Sequence, residues 1–127
     1  MKENQKIHEL RRHPRYPISE NPNFSVYFRV SKDDSLNRAL PINISMGGMM
    51  LSSDEPHRPH TRIEVTIFYS DNSKPAIFLQ GTVCWMSKVP DTEDESRGYY
   101  VGIQFSGISE LQTTVLDKFI TTYVLDQ

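Results

Sequence analysis

Only one cysteine, Cys84, stands among the 127 residues, so no internal disulfide can form and a reducing compartment is the natural setting. Long apolar runs are missing too. No stretch approaches the roughly twenty residues that a membrane-crossing helix needs, and the polar, mixed-charge opening lacks the apolar centre of a secretion signal. The expected location is the cytoplasm, with no membrane insertion. There is no surplus of positive charge: 14 Lys and Arg against 16 Asp and Glu leave a net charge of −2, which argues against the broad basic face of a nucleic-acid binder. Repeats, low-complexity tracts and signs of a second folded domain are absent. A chain of this size can bury about two thirds of the surface its unfolded form exposes, around one core.

Catalytic constellations are equally scarce. His57 and His60 have a spacing that could touch a metal, but Pro56 and Pro59 suggest an exposed loop, and no cysteine or carboxylate completes the set. Cys84 has no base beside it in the sequence and is expected to pack as a small apolar residue. Hydrolytic chemistry needs a metal cluster or a positioned base and nucleophile, and neither is assembled here, so no enzyme is expected.

What is present is a series of short alternating runs. Phe24, Val26, Phe28 and Val30 alternate with polar residues, the period of a half-buried strand. Residues 32–35 supply turn chemistry, and Leu36 to Ile44 reads as the return, with Leu40, Ile42 and Ile44 on one face and Pro41 marking an edge or bulge. Gly48 to Ser53, then Arg62 to Tyr69, Ile77 to Trp85 and Tyr99 to Phe105 complete six strands. Trp85 shares the phase of Leu79 and Val83, so a core position is expected for it. With no helix between the strands, an antiparallel barrel or sandwich follows. From Ser109 the period changes. Leu111, Val115, Phe119 and Tyr123, with Leu116, Ile120 and Val124 beside them, form a helical stripe. Ser109 and Gln112 offer a capping box, and the helix is expected to close the barrel's end or pack on its side.

Charge is unevenly placed. Five of the fourteen cationic side chains precede residue 16, whereas Asp91, Glu93, Asp94 and Glu95 form an acidic run expected to be a solvated loop. Arg11, Arg12 and Arg15, on a segment stiffened by Pro14 and Pro17, offer planar forked donors suited to phosphates and to the O6/N7 edge of guanine. The segment Asn43-Ile44-Ser45-Met46-Gly47-Gly48 adds an amide, a hydroxyl and glycines that let backbone approach a ligand closely. Pairing Ser31 with Leu36 across the turn would put Asn43 opposite Phe24. Arg15 lies nine residues before Phe24, within about 30 Å of extended chain, so the two segments could meet.

These segments resemble the signature of the PilZ domain family, an Arg-x-x-x-Arg segment (Arg11, Arg15) followed by Asp/Asn-x-Ser-x-x-Gly (Asn43, Ser45, Gly48). The resemblance continues through Gly81-Thr82-Val83-Cys84-Trp85 and Tyr100-Val101-Gly102-Ile103-Gln104-Phe105, covering nearly everything from residue 11 onward. It implies a six-stranded antiparallel β-barrel with one C-terminal α-helix. It also implies a non-enzymatic bacterial receptor for the second messenger cyclic di-GMP that signals to a separate, unidentified protein, without any cofactor beyond that ligand. Carried over residue by residue, Arg11 and Arg15 would grip guanine edges and phosphates, with Arg12 a third cation. Asn43 and Ser45 would bond one guanine, and Gly48 would permit close contact. Leu10, before the first arginine, leans toward one ligand per site. The implied organisation is a flexible arginine segment over residues 1–17 and a barrel domain with its helix over residues 18–127. A barrel of this kind acting as a protein-interaction module without nucleotide is the alternative.

Overall fold

The computed structural model describes residues 14–18, 22–30, 34–89 and 98–125. Within them lie β1 (Tyr16–Pro17), β2 (Phe24–Arg29), β3 (Asn37–Ile44), β4 (Gly48–Ser53), β5 (Arg62–Tyr69), β6 (Ile77–Lys88), β7 (Tyr99–Ser106) and α1 (Glu110–Phe119). A π-helical extension, Ile120–Leu125, continues α1. No helix among the described residues is long and apolar enough to cross a membrane.

Six of the strands close into an antiparallel barrel. The sheet order runs β3-β2-β5-β6-β7-β4, and β4 pairs back onto β3 to remove both edges. Two-residue β1 is an addition to the six strands expected, pairing with β3 through Tyr16 opposite Ile44 and Pro17 opposite Asn43. Alternation sends Val26, Phe28, Val65, Ile67, Leu79, Val83, Val101 and Ile103 into the lumen, which is filled by side chains and is the protein's core.

Two irregularities shift that alternation. In β3 the register against β4 slips between Pro41 and Asn43, so Ile42 is an extra residue. Ala39 therefore points inward and Leu40 is 53% exposed, whereas Ile44 beyond the bulge is buried. The expectation that Leu40, Ile42 and Ile44 share one face fails at this bulge. The hairpin register is also corrected. Val26 faces Ala39 and Phe28 faces Asn37, two residues out of step with the expected pairing, and β3 leaves β2 beyond Ala39. Asn43 consequently lies beside Pro17, not Phe24.

α1 begins as its sequence suggests. Ser109 Oγ accepts from Gln112 N (3.1 Å), and the Gln112 side chain accepts from Ser109 N (2.8 Å), completing the capping box. Its buried stripe is shorter than the periodicity implies: Leu116, Phe119 and Ile120 are buried, but Leu111 is 74% exposed. Phe119 meets Phe24 edge-on at 4.9 Å and Tyr69 at 6.1 Å. Phe24 opens β2 and pairs with Tyr69, which ends β5, so the helix stoppers that end of the barrel. Tyr123 stacks on Phe119 (5.6 Å) and accepts a hydrogen bond from Lys74 Nζ (2.6 Å), fastening the helical extension to the β5–β6 connection.

At the β4 exit, Ser53 Oγ lies 3.1 Å from His57 Nε2, and the imidazole packs edge-on against Phe28. Burial holds the His57 pKa below its ordinary value, with nearby Glu55 opposing the shift.

Phe119→Ala is expected to cost about 3–5 kcal/mol through cavity formation, measured as a lowered urea midpoint. His57 should bind its proton more readily when unfolded. Stability should therefore fall as pH drops below about 6.5, the unfolded value, and level off once pH is below the depressed folded pKa. His57→Gln should flatten that part of the wild-type curve in thermal melts from about pH 8 to about pH 5; a parallel slope would exclude His57 as its source.

Candidate functional site

The β3–β4 turn is built around Ser45. Its hydroxyl oxygen accepts from Gly47 N (3.1 Å) and Gly48 N (3.2 Å), while Ser45 N donates to Gly48 O (2.8 Å). The residue is 5% exposed, so the visible work of its side chain is to organise backbone. Gly47 O accepts from Phe105 N (2.8 Å), tying the turn to β7. Gly48 packs directly on the Ile103 carbonyl, where a Cβ would overlap the oxygen. Any side chain there would push β4 away from β7.

β1 brings the arginine segment to this turn. With Tyr16 beside Ile44, the preceding residue, Arg15, falls next to Ser45. Arg15, Ser45 and Gly48 line one cavity of about 1020 Å³ between the turn, the outer face of β6 and β7, and α1. Asn43 does not line it: its Nδ2 donates to Met50 Sδ (3.6 Å), and its Oδ1 is buried with no partner among the described residues. Arg11 and Arg12 lie outside the described residues, as do His8, His13 and the acidic run from Asp91 to Glu95.

The cavity floor departs from expectation. β6 carries a bulge between Val83 and Trp85, so Val83 opposes Ile103 but Trp85 opposes Gly102. The extra residue flips the phase. Trp85 leaves the core and lies on the outer face as part of the cavity lining, while Met86 turns inward. Gly102 makes room for the indole, which a Cβ would strike. Cys84 is exposed on the cavity, 3.7 Å from Gln104 Oε1, and is not packed away as a small apolar residue. A lone glycine within an apolar strand was the available signal for this close approach.

The opposite wall comes from α1. Thr113, Thr114 and Asp117 face the cavity, although the helical stripe alone marks only the residues on the other side. The two histidines with metal-like spacing are not joined: His57 is taken up by Ser53, and His60 is exposed with a positive φ of 74°. Among the described residues, no group of three or more His, Cys, Asp or Glu could hold a metal ion.

The model of the PilZ domain family matches residues 9–122. Among solved structures, the chain is similar to the PilZ domain of YcgR from Escherichia coli with c-di-GMP, with a TM-score of 0.70 and 15% identity over 89% of this chain and 90% of that one. It is also similar to the K. pneumonia MrkH–c-di-GMP complex, with a TM-score of 0.68 and 18% identity over 91% of this chain but 53% of MrkH. The PlzA protein of Borreliella burgdorferi in complex with c-di-GMP gives a TM-score of 0.58 and 15% identity, covering 91% of this chain and 43% of PlzA. The chain thus spans about half the length of the last two. No curated protein matches the sequence.

Ser45→Ala should leave the Gly47 and Gly48 amides without their acceptor. A loss of about 1–3 kcal/mol is expected, with faster hydrogen exchange at those two amides; unchanged exchange would show that the hydroxyl does not hold the turn.

Proposed function

Because the chain belongs to the PilZ domain family, we propose that it is a cyclic di-GMP receptor that takes the dinucleotide into the cavity beside Arg15 and passes the signal to a separate protein. The observation that carries this reading is convergence: Arg15 and the Ser45–Gly48 turn, thirty residues apart in sequence, line the same hollow. Arg15 is exposed, so its guanidinium is available for forked, charge-assisted bonds to phosphate or to guanine O6 and N7. Trp85, on the floor, presents an indole surface on which a base can stack. Gly48 keeps the β4–β7 surface low enough for a ligand to lie against it.

Arg11 and Arg12 belong to the same proposal as further cations on a dianionic ligand. Asn43 lies off this cavity, with its buried Oδ1 unpartnered among the described residues, so it enters the proposal only as part of the segment that carries Ser45 and Gly48. Each of these groups holds or shapes a ligand, and the proposed activity is binding without turnover. Location in the cytoplasm belongs to the same proposal, since that is where such a messenger would be met.

Isothermal titration of the folded chain with cyclic di-GMP should give saturable heat, and Arg15→Ala should weaken binding by about 2–3 kcal/mol through loss of charge-assisted bonds. Arg15→Lys should recover only part, because an ammonium lacks the fork. No heat from the wild-type chain, or equal affinity for Arg15→Ala, would overturn the proposal and favour an interaction barrel that works without nucleotide.

A further inference from the structure

The walls of the cavity differ in hydrogen-bonding sense. On the turn side, Arg15 offers only donors. On the α1 side, every polar group is an acceptor. Thr113 Oγ1 donates its proton to Ser109 O (2.9 Å) and Thr114 Oγ1 donates its proton to Glu110 O (3.0 Å), so toward the cavity these hydroxyls present lone pairs. Asp117, one turn along from Thr113, adds a carboxylate. That carboxylate is exposed and makes no side-chain hydrogen bond or ion pair among the described residues, although it lines a cavity whose proposed ligand carries two negative charges. An unpaired carboxylate opposite a phosphate would be repulsive. Opposite a pair of N–H donors it would be attractive, and it can accept two at once.

We infer that the α1 wall is a base-selecting subsite, in which the Asp117 carboxylate accepts N1–H and N2–H of a guanine whose phosphates lie toward Arg15, with the Thr113 and Thr114 oxygens beside it. Guanine is the purine whose Watson–Crick edge sets two donors side by side; adenine presents an acceptor at N1 and a single amino group. The wall therefore discriminates by mismatch as well as by match, since adenine N1 would face a carboxylate with no proton between them. The inference rests on the reading of the cavity as the dinucleotide site, and it adds a residue that the Arg-x-x-x-Arg and Asn-x-Ser-x-x-Gly segments do not contain.

The test is titration of wild type, Asp117→Asn and Arg15→Ala with three probes: cyclic di-GMP, cyclic di-IMP, which lacks the N2 amino group, and cyclic di-AMP. Asp117→Asn should lower affinity for cyclic di-GMP roughly 10- to 100-fold and change cyclic di-IMP binding by much less. Cyclic di-AMP should bind the wild type weakly and gain when the charge is removed. Asp117 is an exposed helix residue, so circular dichroism and the urea midpoint should match wild type. Equal or tighter binding of cyclic di-GMP by Asp117→Asn, while Arg15→Ala still loses affinity, would overturn the subsite and leave the receptor reading standing. Failure of the wild type to bind cyclic di-GMP would remove both.

Discussion

The contact between Gly48 and the Ile103 carbonyl governs both the fold and the site. β4 must lie against β7 on one side and β3 on the other for the barrel to close, and the turn entering β4 is tied to both strands. Only a residue without a side chain fits there. Ser45 completes the arrangement by supplying an acceptor for two amides that the tight turn leaves unpaired. Closure of the barrel and the low backbone surface that borders the cavity are thus one requirement met by one segment.

Two bulges then decide what faces the outside. An extra residue in a strand reverses the side-chain phase beyond it, because the period is two. At Ile42 the reversal returns Ile44 to the core just before the turn, so that the turn is anchored by a fully buried side chain. At Cys84 it expels Trp85 and admits Met86, exchanging an aromatic wall for an unbranched side chain that suits an irregular space. Without that second bulge the indole of Trp85 would not line the cavity. α1 contributes on both of its faces: Leu116 and Phe119 stopper the barrel, and Thr113, Thr114 and Asp117 close the cavity.

Most of the fold was legible in the chain. Alternation over Phe24 to Phe28, Ile63 to Ile67 and Tyr99 to Phe105 located strands because each contributes one face to a lumen filled by apolar side chains, and burial of that face dominates every other preference. The Ser109–Gln112 box located the start of α1, since a cap is a local interaction among four residues. In the strands the misplaced residues lie at or past a bulge or at a pairing step, and in α1 Leu111 is exposed because the buried stripe starts only further along the helix. The hairpin register missed by two because the turn length was inferred from composition, and a shift of two preserves which side chains point inward. Burial pattern therefore gives no warning of it.

Residue chemistry by itself determined that this chain makes a small antiparallel barrel or sandwich with a capped terminal helix, and that its forked guanidiniums and its Ser-Gly turn are the groups from which an anion site could be proposed. Those are consequences of side-chain period, local capping and functional-group type, all of which are properties of neighbouring residues. Tertiary structure alone decided that β1 pairs with β3 beside the turn, that Trp85 faces out, that Asn43 lies off the cavity and that Asp117 lies on it. Each of those depends on strand register or on the docking angle of a helix, which are set by contacts between segments tens of residues apart and leave no periodic trace in the sequence.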